Sequence, residues 1–138
     1  MSKDRITIEA LVAQPPATVW TRYTSPEHIT KWNFASEDWC CPKAEVELKA
    51  GGHYLARMEA KDGSFGFDFS AVYQEVVEHE RLVMALDDGR EVVVTFAAED
   101  GATRVVTEFD PDPDNPTDMQ RDGWQAILNN FRIYCERG

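Results

Sequence analysis

Four short turn sequences in the middle of the chain constrain its fold more than any other feature. They lie between residues 44 and 109 and are Gly51-Gly52, Asp62-Gly63, Asp88-Gly89 and Asp100-Gly101. Asp-Gly and Gly-Gly pairs accept the positive φ angles of tight turns between antiparallel strands. The segments between these turns are rich in Val, Phe, Tyr and Thr, which favour strands. This region therefore predicts an antiparallel meander, and it lacks the alternation of helices and strands that a parallel sheet needs.

The first part of the chain predicts one strand and two short helices. The segment RITIEALVA, residues 5–13, alternates between apolar and polar residues as a half-buried strand does. Two prolines open the segment QPPATVWTRYT, residues 14–24, where the first turn of a helix tolerates them. The segment SPEHITKW, residues 25–32, predicts a second short helix that Ser25 is placed to cap.

The end of the chain predicts one long amphipathic helix, from about residue 118 to 136. Its apolar residues recur three and four positions apart and form one stripe, namely Trp124, Ile127, Leu128, Phe131 and Cys135. This stripe needs an apolar partner, and the predicted sheet is the only surface large enough to cover it. We therefore expect a single α+β domain over residues 1–138, in the order β-α-α-β6-α, with the long helix laid on the antiparallel sheet.

Charge and hydropathy exclude several classes of partner. The formal net charge is −11, whereas phosphate binding needs clustered Lys and Arg, so we expect no nucleic-acid partner. The same charge disfavours anionic membrane surfaces. No apolar run approaches the roughly 20 residues of a membrane span, and the segment MSKDRITIEA has no apolar stretch of signal-peptide length. We expect a cytoplasmic protein without a membrane span.

Residues that could hold a metal do not form a convincing site. The three cysteines, Cys40, Cys41 and Cys135, show no disulfide framework spacing and no paired-ligand motif with a histidine. We expect reduced, partly buried thiols. The acidic segment DPDPDNPTD matches the first three ligand positions of a calcium loop, but Asn115 replaces the required glycine and Arg121 replaces the bidentate glutamate. The sequence therefore predicts no metal and no cofactor.

Catalytic motifs are equally absent from the sequence. It contains no nucleophile elbow, no phosphate-binding loop and no dinucleotide fingerprint. His28, His53 and His79 stand apart from one another, and isolated histidines are more often surface or hydrogen-bonded residues than general bases. The segment around His79, EVVEHER, is typical of a solvated turn between strands. We expect no catalytic residues.

Four stretches of the chain carry a resemblance to a known family. They are PPATVWTRYTSPEHITKW, LKAGGHYLARMEAKDG, VYQEVVEHERLVMAL and GWQAILNNFRIYCE. In this order they resemble the activator of heat shock protein 90 ATPase homologue 1-like family, within the helix-grip, START-like (SRPBCC, Bet v 1-like) superfamily. The resemblance implies a strongly curved sheet that wraps around the last helix and encloses a deep cavity. In similar proteins that cavity takes apolar small molecules, and the members that are enzymes place their own catalytic residues in it.

Aromatic residues after the second helix are the first candidates for a cavity wall. In similar proteins the segment that crosses to the next strand lies over or beside the cavity mouth. Trp32, Phe34 and Trp39 fall in this segment and would then line the rim or the wall. Aromatic residues also commonly complete a core, and pockets are themselves lined by aromatics, so both interpretations stay open.

Further candidates lie on the predicted meander and on the last helix. Phe67 and Phe69 share one face of a strand, and Tyr54 shares a face with Ala56 and Met58 on the preceding strand. The pattern does not show which face is concave. The stripe of the last helix would form the roof of the cavity through Trp124, Leu128 and Phe131. Gln120 extends this stripe by one turn, and it either points into the cavity or is exposed near the helix start.

Three functions are compatible with these features. The favoured one is non-enzymatic binding of a small hydrophobic molecule, because aromatic residues are frequent and no catalytic set is visible. A co-chaperone-like or other protein-interaction role, with a protein partner or a homodimer, would predict a contiguous exposed apolar patch. The eukaryotic activator that names the family carries a further domain, for which 138 residues are too few. An enzyme of the cyclase or dehydrase type would predict a carboxylate or histidine with a perturbed pKa inside the cavity.

Overall fold

The computed structural model describes residues 5–137, which form a curled antiparallel sheet gripping a long helix. The strands are β1 (Ile6–Val12), β2 (Trp39–Val46), β3 (His53–Ala60), β4 (Gly66–Val77), β5 (Arg81–Leu86), β6 (Glu91–Glu99) and β7 (Ala102–Phe109). The helices are α1 (Pro16–Thr24), α2 (Pro26–Ile29) and α3 (Thr117–Glu136). The strands lie in the order β1-β7-β6-β5-β4-β3-β2. The predicted α+β helix-grip fold and the order β-α-α-β6-α are therefore confirmed.

The turn sequences take the backbone conformation that their glycines allow. Gly51, Gly63, Gly89 and Gly101 all have positive φ angles, between 78° and 90°. In this region of φ a residue with a Cβ atom is strained, which is why each hairpin carries a glycine. The turn between β4 and β5 is the exception, because His79 itself adopts a φ of 65°. The meander and the turn around His79 are both confirmed.

The faces of the strands, which the sequence left open, are settled by burial. On β3, Tyr54, Ala56 and Met58 are buried and face the helix, whereas His53 on the opposite face is exposed. The strand pairings shift register between Tyr73 and Glu75 of β4. Such bulges bend a strand and increase the local twist. The sheet curls as a result, and one face becomes concave.

The two short helices lie where the sequence placed them, but the cap differs. α2 is a single turn, and Ser25 occupies its N-cap position with an extended backbone. Its side chain makes no capping hydrogen bond. The backbone carbonyl of Ser25 instead accepts hydrogen bonds from the amides of His28 (3.0 Å) and Ile29 (2.9 Å). Ser25 therefore occupies the predicted cap position, but the prediction that its side chain caps this helix is wrong.

Helix α3 covers the concave face without touching all of it. Its backbone runs close to β1 at one edge of the sheet and stands away from the central strands. The space between helix and sheet must therefore be filled by side chains or remain open. Leu128, Phe131 and Cys135 point into it and are at most 4% exposed. None of the helices within residues 5–137 is long and apolar enough to cross a membrane.

The C-terminal end of α3 is fixed to the start of the domain by polar contacts. The Cys135 carbonyl accepts hydrogen bonds from the Arg22 guanidinium at 2.7 Å and from the Gln14 amide at 3.2 Å. These donors satisfy a carbonyl of the last turn, which has no partner within the helix. The Ala13 amide donates to the Glu136 carboxylate at 2.9 Å. The end of the helix is thereby tied to the segment that joins β1 to α1.

Candidate functional site

A cavity of about 320 Å³ lies between α3 and the concave face of the sheet. Its volume falls at the lower end of the roughly 300–1,000 Å³ of small-molecule sites. Most of the residues that line it are aromatic or aliphatic. They are Ile8, Tyr23, Trp32, Asn33, Tyr54, Met58, Phe67, Phe69, Tyr73, Leu82, Met84, Arg90, Val92, Thr107, Asp112, Asn115, Gln120, Trp124, Ile127 and Leu128.

The candidate residues from the sequence divide into two groups. Those that line the cavity are Trp32, Tyr54, Phe67, Phe69, Gln120, Trp124 and Leu128. Those that lie outside its lining are Phe34, Trp39 and Phe131. The first group comes from four parts of the chain, namely the segment after α2, strands β3 and β4, and helix α3.

Phe131 belongs to the packed core beside the cavity rather than to its roof. The side chain has no exposed surface. Its ring meets the ring of Trp32 edge to face, with centroids 4.8 Å apart, and that of Tyr23 at 5.1 Å. Helix α1 and the segment after α2 therefore enclose this part of the α3 stripe. Only the stripe residues nearer the start of α3 reach the open space.

Phe34 and Trp39 are packed, partly buried, against the core outside the lining of the cavity. Phe34 is half-buried against the core, and its carbonyl and that of Trp32 accept hydrogen bonds from the Asn130 amide at 3.5 and 2.8 Å. This contact ties the crossing segment to α3. Trp39 lies opposite Ala60 at the start of β2, and its ring packs against those of Phe65 (5.9 Å) and Phe67 (6.2 Å).

Trp124 forms the roof of the cavity together with Leu128. Its indole stacks face to face on Phe109, with centroids 3.9 Å apart and planes at 13°. The ring of Phe69 meets the same indole edge to face at 6.1 Å. Aromatic pairs in these geometries are each worth about 0.5–1.5 kcal/mol beyond their buried area. The roof is therefore a stiff aromatic surface rather than a flexible side chain.

Gln120 closes one rim of the cavity by binding the loop of residues 110–116. Its side-chain oxygen accepts a hydrogen bond from the Asp112 amide at 2.7 Å. Its side-chain nitrogen donates to the carbonyls of Asp112 and Asn115, both at 2.9 Å. The residue is half-buried, so it is neither fully exposed nor directed freely into the cavity. It holds the acidic loop against the first turn of α3.

The polar side of the cavity consists of residues that the sequence analysis did not single out. Tyr23, Tyr73, Asn33 and Thr107 line it beside Tyr54. The Tyr54 hydroxyl accepts a hydrogen bond from the Asn33 amide at 3.3 Å. The period of two that runs through Phe67 and Phe69 also reaches Tyr73, so an extended reading of β4 could have found it. Nothing in the spacing indicated Asn33 or Thr107.

The phenol groups of the cavity stay protonated at neutral pH. Burial raises the pKa of Tyr23 to about 12, although the neighbouring Thr107 hydroxyl lowers it in part. Burial also raises the pKa of Tyr54 and of Tyr73. The phenols lie close enough for a charge on Tyr23 to raise the pKa of both others. Each of them therefore presents a neutral hydroxyl that can donate or accept a hydrogen bond.

The open end of the cavity combines an exposed aromatic ring with acidic residues. Phe67 is 44% exposed and also lines the cavity, so the space reaches solvent beside it. Arg90 reaches the lining from the turn between β5 and β6, where its guanidinium pairs with Asp88 at 2.7 Å. Asp112 lines the same end. At the mouth, the positive charge of Arg90 is therefore already neutralised by Asp88.

Comparison with known families gives one match that covers most of the chain. The family described as "Activator of Hsp90 ATPase homolog 1-like protein" matches residues 13–136. The match begins directly after β1 and ends at the last residue of α3. Among curated proteins, none is similar to the chain at a significant level.

Solved structures of similar sequence share the whole fold. An AHSA1-like protein from Aeromonas hydrophila is 43% identical, with a TM-score of 0.91 over 96% of this chain and 92% of that one. A protein from Cytophaga hutchinsonii is 41% identical, with a TM-score of 0.84 over 98% and 94%. A protein from Chromobacterium violaceum, at 23% identity, has a TM-score of 0.86 over 97% and 99%, which shows a common fold.

Proposed function

Because the chain belongs to the family of Activator of Hsp90 ATPase homolog 1-like proteins, we propose that it binds a small hydrophobic molecule. Binding takes place in the cavity between α3 and the curved sheet and involves no chemistry of the protein's own. The observation that carries this proposal is the cavity itself, which is about 320 Å³ in volume and walled mainly by aromatic and aliphatic side chains.

The side chains that wall the cavity are held in place by their neighbours, which supports ligand binding. Trp124 is held by Phe109, and Met58 and Tyr54 are held by the strand pairing of β3 with β2 and β4. A preformed apolar site loses little conformational freedom when a ligand enters. Lining atoms without a partner across a void forfeit dispersion contacts. An apolar ligand of matching size restores those contacts and removes its own surface from water.

A neutral fluorescent probe tests the proposal in the isolated protein. N-phenyl-1-naphthylamine gains fluorescence in an apolar site and carries no charge. We expect saturable binding to the wild type and a strong loss of affinity in Leu128→Trp, because Leu128 lines the cavity and a larger ring there occupies it. The matched control is Ile133→Trp on the same helix, since Ile133 is 40% exposed and lies outside the lining.

Two results would contradict ligand binding in this cavity. One is the absence of saturable probe fluorescence in the wild type. The other is an equal affinity for the probe in the wild type and a folded Leu128→Trp variant, which would place the probe elsewhere. An overpacked side chain typically destabilises a protein by about 1–3 kcal/mol. Circular dichroism of each variant is therefore needed to establish that the fold is retained.

A co-chaperone-like or other protein-interaction role is the second candidate, and an exposed aromatic patch favours it. The patch consists of Trp39, Phe65 and Phe67, whose rings pack on one another at the edge of the sheet. Phe65 is 62% exposed. Contiguous exposed apolar surface is typical of protein contacts. Stimulation of a purified Hsp90 ATPase by the wild type, lost in Phe65→Ser and kept in Ile133→Ser, would support this role; no stimulation by the wild type would exclude this ATPase as its target.

A further inference from the structure

We infer that the ligand is an uncharged molecule with a hydroxyl or carbonyl oxygen, and that this oxygen bonds to the hydroxyls of Tyr54 and Tyr73. This inference rests on the proposed ligand binding and specifies the chemistry of what is bound. It follows from two features of the cavity: a polar wall on its buried side, and a described lining whose single cation, Arg90, lies at the open end.

Tyr73 provides the first feature, because its hydroxyl has no hydrogen-bond partner among residues 5–137. The side chain is only 2% exposed, and it lines the cavity from β4. Within residues 5–137 its hydroxyl makes no hydrogen bond to another residue, yet no fully enclosed side-chain oxygen or nitrogen of these residues lacks a partner. The Tyr73 oxygen therefore reaches open space, and the space at this side chain is the cavity. A ligand oxygen placed here would give this hydroxyl a hydrogen-bond partner inside a mainly apolar cavity.

Tyr54 stands beside Tyr73 and completes the polar wall. The two rings meet edge to face, with centroids 6.2 Å apart. The Tyr54 hydroxyl accepts a hydrogen bond from the Asn33 amide at 3.3 Å. Its own proton has no acceptor among residues 5–137, so it can be donated to a ligand. A ligand oxygen between the two phenols would then receive donated hydrogen bonds. The raised pKa values of both phenols keep these protons in place at neutral pH.

The second feature is that a charged ligand group would find no compensation on this side. In the lining described within residues 5–137, Arg90 is the single cationic side chain, and it already pairs with Asp88 at 2.7 Å at the open end. Burial of a carboxylate without a cation is strongly unfavourable. The acidic loop around Asp112 adds repulsion at the mouth. Fatty acids and other carboxylates are therefore poor ligands, whereas neutral oxygenated rings of similar size fit both ends.

A series of probes with one ring system and different head groups tests this inference. Naphthalene, 2-naphthol and 2-naphthoate are titrated at neutral pH into isotope-labelled protein, and the affinity is measured from amide chemical shifts. We expect 2-naphthol to bind more tightly than naphthalene, and 2-naphthoate to bind most weakly. In Tyr73→Phe the affinity for 2-naphthol should fall about threefold to tenfold, the value of one hydrogen bond, while that for naphthalene stays the same.

The tyrosine outside the cavity supplies a matched control. Tyr134 lies on α3, where its hydroxyl bonds to His28 at 2.5 Å, and it does not line the cavity. Tyr134→Phe should leave both affinities unchanged. Tyr54→Phe is the second test variant, with an added effect on Asn33, which loses its hydrogen-bond acceptor.

The outcomes separate the inference from the proposed function. If naphthalene and 2-naphthol bind equally and Tyr73→Phe changes neither affinity, the polar subsite is refuted while binding in the cavity stands. Tighter binding of 2-naphthoate than of 2-naphthol would overturn the requirement for a neutral ligand. If none of the three probes shifts the amide signals of cavity residues, the proposed function fails together with the inference.

Discussion

Two phenylalanines near the cavity should respond to the same substitution in opposite ways. Phe131 has no exposed surface and packs against Tyr23 and Trp32, outside the cavity lining. Phe67 is 44% exposed and lines the open end. Replacement by alanine removes the same ring in both cases. Phe131→Ala should therefore cost stability and spare binding, whereas Phe67→Ala should weaken binding at a small cost in stability.

The expected magnitudes follow from burial. A fully buried phenylalanine replaced by alanine destabilises a protein by about 3–5 kcal/mol, because the ring is lost and its cavity collapses only in part. With an unfolding entropy of about 2.1 cal/mol/K per residue, a chain of 138 residues would then lose about 10–17 °C in Tm. Phe67→Ala should cost about 1 kcal/mol or less, since large losses come from enclosed side chains and Phe67 is 44% exposed.

Urea unfolding, followed by circular dichroism, measures the first quantity, and titration with N-phenyl-1-naphthylamine below the unfolding transition measures the second. We expect a large fall in the urea midpoint with nearly unchanged probe affinity for Phe131→Ala. A loss of less than about 1 kcal/mol for Phe131→Ala would refute the packed position of this ring. Unchanged probe affinity for Phe67→Ala would show that the open end of the cavity takes no part in binding.

Three further predictions concern pH, the last helix and the cysteines. Burial raises the pKa of Cys41 and Cys135 from 9.0 to about 11 and that of Tyr23 from 10.0 to about 12. The stability that these neutral groups contribute is complete below pH 9 and is lost as the pH rises toward 11 and 12. The urea midpoint should therefore fall across that range, and a constant midpoint would contradict this prediction. Gly123→Ala should stabilise α3 by about 0.5–1 kcal/mol, since an added Cβ meets no atom within 4 Å; a lower Tm would show a hidden contact. Cys40, which is half-buried, should react with a disulfide reagent before the buried Cys41 and Cys135, and purified protein should contain no stoichiometric zinc; three equal reaction rates or one zinc per chain would count against this.

The sequence was sufficient for the fold because local signals and global architecture agree. Each glycine-containing turn falls between two alternating segments. Gly63 and Gly101, for example, both adopt the positive φ angle that such a turn requires. The helix predicted from about residue 118 to 136 also matches α3 within a residue, since α3 begins at Thr117 and ends at Glu136. Patterns of this kind depend on residues close in sequence, so a single sequence contains them.

The cavity was less predictable because it depends on which distant elements meet. Phe131 and Leu128 lie on one stripe, and only contact with α1 decides that Phe131 is enclosed while Leu128 reaches open space. Trp39 packs against the rings of Phe65 and Phe67 rather than lining the cavity, and no local pattern shows this contact. Tyr73 was missed for a different reason. It follows Phe67 and Phe69 on the same face of β4, but Ala71 interrupts the row of aromatic residues before it.

The unequal attachment of the two ends of α3 has a kinetic consequence. Cys135 and Glu136 are bound to the segment around Gln14 and Arg22, whereas the first turns are mainly exposed and held by the bonds of Gln120 to its loop. Local opening should therefore begin at the N-terminal end, and amide hydrogen exchange should be faster at residues 118–123 than at 127–135. That end also covers the cavity mouth. The residence time of a bound molecule would then be governed by the fraying of two helical turns. The strand pairing of the sheet would stay intact throughout.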